Sequence, residues 1–207
     1  MNRPNYKNWI PKWMITAGII GVALSLILLV IFALTLHGTA KIVLSVIFAL
    51  LLVFMCVYLI WCLFANNRFS YDGKRKLSKS IIDGIADYVE LPDAATALDI
   101  GCGSGALSIA VAKKNLNAEI IGCDLWGKEY EFSKLLCKEN ARAEGVENVK
   151  FQKGNATALP FENEQFDAVM SNYVYHNIPS RDRQAILLET LRTLKKGGTF
   201  AIHDIFS

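Results

Sequence analysis

Asp99-Ile100-Gly101-Cys102-Gly103-Ser104-Gly105-Ala106 decides how this chain is read. The apolar residues 95–100 leading into it have the length and composition of a short buried strand, and residues 104–115 leaving it read as a helix. Glycines at a strand-to-helix turn permit positive φ and let a ligand approach the backbone where the N–H groups of a helix start are free. Taken alone the stretch is ambiguous, because Gly101 to Ala106 also satisfies the loose dinucleotide pattern G-x-G-x-x-G/A. Charge separates the readings. A dinucleotide would bring its pyrophosphate against the carboxylate of Asp99, whereas a ligand with a cationic centre is favoured there, its own carboxylate lying at the helix N-terminus.

Working outward, residues 119–123 and 149–152 read as second and third strands, with a helix over 128–144 between them that ends at Gly145. Residues 166–171 read as a fourth strand, 182–194 as a helix stopped by Gly197 and Gly198, and 199–205 as a fifth strand. Upstream, Leu77, Ile81, Ile85 and Tyr88 recur near the helical period, and Pro92 closes that segment. Strand and helix in alternation predict an α/β fold with a Rossmann-like, doubly wound and mostly parallel sheet. Ligands bind such sheets beyond the carboxyl ends of the strands, which points to Asp99 to Gly105, Asp124, Asn155 and Ser171 to His176. Asp124 follows Gly101 by 23 residues and ends the second strand, where a carboxylate accepts from both hydroxyls of a ribose.

Asp99 to Gly105, Asp124, Gly154-Asn155-Ala156-Thr157-Ala158-Leu159-Pro160-Phe161, Phe166-Asp167-Ala168-Val169-Met170-Ser171-Asn172 and Leu194-Lys195-Lys196-Gly197-Gly198 together resemble, in order and spacing, the class I S-adenosylmethionine-dependent methyltransferases. The likeness is greatest to the branch that methylates small molecules and quinone precursors. The resemblance implies that the methionine part of S-adenosylmethionine lies against Asp99, Gly101, Cys102, Gly103 and Gly105, with its ribose on Asp124. It places the adenine edge at Asn155 and Ala156, Leu125 on the adenine face, and Ser171 near the transferable methyl. Asn155 departs from the pattern, since that branch usually has Asp; Asn keeps an acceptor oxygen and loses the charge.

The resembled family continues into two more strands, so residues 81–207 are expected to form a C-terminally incomplete methyltransferase domain with five of the usual seven. Phe200, Ile202 and Ile205 would then lie on an uncovered edge. A piece of a longer protein, a homodimer through that fifth strand or a contact with the membrane would each account for it.

Methyl transfer is an in-line displacement on an activated carbon, so positioning supplies most of the acceleration and no strong base is obligatory. For an acceptor that must lose a proton, His176 is the candidate catalytic base, because it follows the fourth strand. A packing role for this histidine stays open, and His203 and Asp204 on the fifth strand could also face the acceptor. Two other functions stay open as well: a nicotinamide-dependent oxidoreductase that tolerates Asp99, and a membrane protein that binds cofactor or partner without turnover.

The N-terminal third has another character. Residues 14–36 and 42–65 carry no charge, each run being long enough to cross about 30 Å of hydrocarbon. Residues 37–41 between them form a short turn, which predicts an antiparallel transmembrane hairpin. A signal peptide would have a shorter core and no second span directly behind it. Arg3, Lys7 and Lys12 precede the first span, only Lys41 lies in the turn, and Arg68, Lys74, Arg75, Lys76 and Lys79 follow the second. This bias places residues 1–13, the basic linker 66–80 and the domain behind it in the cytoplasm of a two-pass protein in the cell membrane.

The formal net charge of +3 conceals a division: from Ile81 onward 13 Lys or Arg face 18 Asp or Glu, a balance of −5, which argues against a nucleic-acid substrate. The cysteines at 56, 62, 102, 123 and 137 lack the spacing of a zinc site, so no metal is expected. The expected partners are the lipid bilayer and a small-molecule or lipid-like acceptor.

Overall fold

The structure, a computed structural model, describes residues 3–127, 132–180 and 182–205. It divides into two units: Asn8–Ser78, and a second formed by Met1–Lys7 with Lys79–Ser207.

The first unit is a helical hairpin of α1 (Lys12–Thr35) and α2 (Gly38–Arg68). The span anticipated over 42–65 falls within α2 and that over 14–36 overruns the end of α1 by Leu36; the turn shrinks to Leu36 and His37, and Lys41 is the fourth residue of α2 rather than part of the turn. Small residues let the two helices approach. A Cβ on Gly18 would meet the Leu59 side chain at 3.1 Å, and the Phe32 and Phe48 rings lie 5.2 Å apart. At the other end Trp9 stacks on Phe69, and the Asn8 amide donates to the Asn66 carbonyl at 2.8 Å. Ile19, Ile20, Leu24, Ile27, Leu50, Val53 and Phe54 face outward, and both helices are long and apolar enough to cross a membrane.

In the second unit five parallel strands, β1 (Thr96–Ile100), β2 (Glu119–Asp124), β3 (Val149–Lys153), β4 (Phe166–Asn172) and β5 (Leu194–His203), lie in the order β3-β2-β1-β4-β5. The order reverses beside β1, which creates a crevice beyond the carboxyl ends of β1 and β4. Leu98, Ile100, Cys123, Leu159, Phe166 and Val169 form a buried cluster, into which the Phe161 ring packs edge-on against Phe166 at 5.0 Å. Around the sheet run α3 (Leu77–Asp87), α4 (Ala106–Lys114), α5 (Lys134–Ala143) and α6 (Arg183–Arg192). Ile82, Ile85, Ala86 and Val89 are buried, whereas Tyr88 is 80 % exposed, so Tyr88 does not share the apolar face expected of it.

Two boundaries differ from the sequence reading for identifiable reasons. The second helix was expected over 128–144; the Ser133 hydroxyl accepts from the Leu136 N–H at 3.1 Å and starts α5 at Lys134, while residues 128–131 lie outside those described. Gly197 and Gly198, which the sequence suggests as a helix stop, are inside β5. Thr193 caps α6, Leu194 already pairs with Phe166, and the register slips between Phe166 and Ala168 to bring Thr199 opposite Ala168. Gly198 lies at this irregularity because a Cβ there would come within 2.6 Å of the Asp167 carbonyl.

Candidate functional site

The chain leaves β1 through Gly101, Gly103 and Gly105, all at positive φ (69°, 55° and 81°). The N–H groups of Gly101 and Cys102 donate to the Cys123 carbonyl at 2.8 and 3.2 Å, so the loop hangs on the end of β2. Gly101 also has no room for a side chain, since a Cβ would fall 2.3 Å from the Val174 Cγ2. Asp124, the last residue of β2, accepts from the Gly103 N–H at 2.8 Å on one oxygen and from the Trp126 N–H at 2.6 Å on the other. The Trp126 indole N–H and the Cys137 thiol donate to the Gly103 carbonyl at 2.9 and 3.1 Å.

The other residues expected at the site lie at different depths. Asp99 is 1 % exposed and takes the Ser108 hydroxyl at 2.6 Å; burial pushes its carboxyl up to about 7, against the pull of the Ser108 bonds. Its place is beneath the glycine loop. Cys102 is buried as well, and burial together with the neighbouring Cys137 raises its thiol well above the usual range. Leu125 is 51 % exposed beside Asp124 and presents an apolar surface. Asn155 is exposed, its side-chain oxygen accepting from the Thr157 N–H at 3.0 Å, while Ala156 packs on the core cluster. Ser171 is fully buried and donates to the Ile100 carbonyl at 3.0 Å, tying β4 to β1 rather than offering a surface to a ligand.

A second group forms after β4. Tyr173 adopts φ 56°, outside the usual range of a non-glycine residue, and its ring meets those of His176 and His203 edge-on at 5.6 and 4.9 Å. His176 is bonded through Nδ1 to Asp204 at 2.5 Å, and His203 through Nδ1 to the Asn172 side-chain oxygen at 3.0 Å. Because Val174 packs on Gly101, this turn lies directly against the glycine loop.

Sequence reasoning did not find the contribution of Asn140. This buried amide donates to the Ser104 carbonyl at 2.9 Å and to the Asn5 carbonyl at 3.1 Å, and accepts from the Asn5 N–H at 2.7 Å. Tyr6, buried next to it, donates to Glu144 at 3.1 Å. Residues before the hairpin thus dock on α5 and reach the glycine loop through one side chain. Trp126 was missed too, since its spacing from Asp124 carries no general signal.

The donor set fits S-adenosylmethionine. Gly105 stands at the cap position before α4 and has no side chain to bond it, which leaves first-turn N–H groups for a carboxylate. Each Asp124 oxygen accepts one bond from a backbone N–H and keeps a lone pair for a ribose hydroxyl, and Leu125 supplies an apolar face for adenine.

Known proteins agree with this geometry. Residues 97–198 match the family model of a methyltransferase domain. The chain is similar to an uncharacterized methyltransferase, YcgJ, of Bacillus subtilis, 34 % identical over 110 residues that make up 53 % of this chain and 40 % of that protein. It is also similar to the demethylmenaquinone methyltransferase of Lactococcus lactis, 36 % identical over 102 residues, 49 % of this chain and 38 % of that one. The crystal structure of the Bacillus YcgJ protein superposes with a TM-score of 0.53 at 29 % identity, covering 62 % of this chain and 52 % of that one. The chain thus spans about two fifths of the length of these curated relatives. The α/β part of the chain has the Rossmann-like fold of the methyltransferases, and residues 97–198 within it are similar to a methyltransferase domain.

Proposed function

We propose that the protein transfers a methyl group from S-adenosylmethionine to a small or lipid-like acceptor, and that the helical hairpin anchors it in a membrane with both termini on the cytoplasmic side. The observation that carries the reading is the clasp between Asp124 and Gly103, which brings a ribose-binding carboxylate and a glycine loop together at the point where strand order reverses. In this reading Gly101, Gly103 and Gly105 receive the methionine part and Asp99 supports them from below. Asp124 binds the ribose, Leu125, Asn155 and Ala156 border the adenine, and Ser171 keeps the ends of β1 and β4 together beside the methyl group. His176 takes a proton from the acceptor where one must leave. The demethylmenaquinone acceptor in the name of the Lactococcus relative supports an acceptor of that small, apolar kind.

Calorimetry on the full chain in lipid nanodiscs tests the cofactor. Binding of S-adenosylmethionine, none of NAD, and a large loss in Asp124→Ala are the expected outcome. A folded protein that binds neither ligand, or binds NAD in preference, would remove the methyltransferase reading.

A further inference from the structure

Asp204 follows the last residue of β5, and its carboxylate gathers three donors from a single turn: the N–H groups of Val174 and Tyr175 at 3.0 and 2.7 Å, and Nδ1 of His176 at 2.5 Å. Burial raises the Asp204 carboxyl, but the His176 bond and the backbone N–H groups of Ile205 and Tyr175 outweigh it and hold the group below its ordinary range. Nδ1 therefore carries the proton of a neutral His176, and the lone pair is at Nε2. The Asp204 side chain is closed off from solvent while that of His176 is 29 % exposed, so the ring is anchored on its inner side and open on its outer side. Tyr173 stands between the two histidine rings in a left-handed backbone conformation, the kind of strain that persists where surrounding contacts impose it.

We propose that Asp204 is a positioning residue that holds His176 as the base for a phenol-type acceptor, with Tyr173 and His203 as the aromatic wall beside the acceptor ring. The inference rests on the methyltransferase reading above. Acidity selects the class. A phenol ionises near 10 and imidazole near 6.5, a gap that a hydrogen-bonded pair bridges during attack, whereas a thiol near 8.5 is already a few per cent thiolate at neutral pH and depends less on a base. S-Adenosylmethionine supplies the methyl carbon: the new bond is oxygen to carbon, the broken bonds are carbon to sulfur, whose electron pair stays on sulfur, and oxygen to hydrogen, whose proton goes to Nε2 of His176. Among the described residues, the charged and titratable groups around His176 are His203 at the end of β5 with Asp204 directly after it, Tyr173 directly after β4, and Arg183 of α6, which donates to the Tyr175, Ile178 and His176 carbonyls.

The test uses the full chain in phosphatidylcholine nanodiscs with two readouts. In the first, protein loaded with S-adenosylhomocysteine is titrated with 4-nitrophenol, whose visible absorbance distinguishes phenol from phenolate. Wild type is expected to bind it as phenolate under conditions where the free phenol is neutral, and Asp204→Asn to bind it as the phenol. In the second, methylation is followed over phenols of graded acidity. Asp204→Asn is expected to lower kcat about 10²- to 10⁴-fold for the least acidic phenols, with a shrinking gap as acidity rises, an unchanged KM for S-adenosylmethionine, and no further loss when made in His176→Asn. An equal loss across the series, an added loss in the His176→Asn background, or methylation of thiols or amines but of no phenol overturns the inference and leaves the methyltransferase reading standing. Failure of calorimetry to detect S-adenosylmethionine binding overturns both.

Discussion

The indole N–H of Trp126 donates to the carbonyl of Gly103 at 2.9 Å, and the Gly103 N–H donates to Asp124, so one glycine of the loop is held on both its polar groups by residues at the end of β2. Trp126 holds this position at φ 49°, a conformation that a bulky residue adopts only when its contacts enforce it. Trp126→Phe keeps the ring and loses one hydrogen bond, worth about 0.5–1.5 kcal/mol net. The expected outcome is a roughly 2- to 10-fold weaker binding of S-adenosylmethionine, with faster amide exchange at Gly103. Unchanged affinity in calorimetry would show that the loop holds its shape without this clasp.

Asp99 should make stability fall with rising pH. Its carboxyl moves from an ordinary 3.8 to about 7 in the folded protein, so the folded state binds the extra proton between those values and loses stability as pH rises through that window. At about 1.4 kcal/mol per pH unit the span reaches roughly 4 kcal/mol at most. Thermal melts of the ligand-free protein from pH 4 to pH 8 should show this slope, and Asp99→Asn should flatten it. Binding of S-adenosylmethionine should strengthen over the same interval, because its cationic centre favours the ionised carboxylate. A slope that survives in Asp99→Asn would assign it to other groups.

Asn140→Ala removes three hydrogen bonds at once, including the one to the Ser104 carbonyl. The buried groups left without partners cost about 1–3 kcal/mol. The loss should appear as a lower Tm and as rapid amide exchange at Asn5 and Tyr6, while Trp9 and Phe69 at the base of the hairpin keep their stacking. Protection at Asn5 equal to wild type would contradict the docking.

Gly101→Ala is expected to destabilise the protein by about 1–3 kcal/mol, through a positive φ and through a Cβ 2.3 Å from Val174. Adding Val174→Ala should restore the steric part and leave the backbone part. Thermal melts of the two variants separate these contributions, and equal Tm values for them would show that the clash is absorbed elsewhere.

Much of the fold was legible because its signals are local. Short apolar runs placed the first four strands to within about one residue at each end, and Asp124 followed the loop at the distance one βαβ unit requires. Errors arose where a local signal has two meanings. Gly197 and Gly198 look like a helix stop, and only their closeness to Asp167 in the adjacent strand makes them part of β5. Tyr88 fits the helical period of α3 but lies one residue past its end, at Asp87, where that period no longer applies.

The sequence by itself determined the alternation of strand and helix, the glycine loop, the acidic end of the second strand and the two apolar helices, since each depends on the chemistry and spacing of near neighbours. Tertiary structure alone decided the depths and the pairings. Asp99 and Ser171 are buried and bonded to Ser108 and to the Ile100 carbonyl, because a parallel sheet covered on both faces buries both sides of its central strands. His176 meets Asp204 across 28 positions, and Asn140 meets Asn5 across 135, distances over which no periodicity operates. Such contacts exist only because β4 and β5 lie side by side and because the segment before the hairpin returns to α5, arrangements set by how the chain buries its apolar surface as a whole.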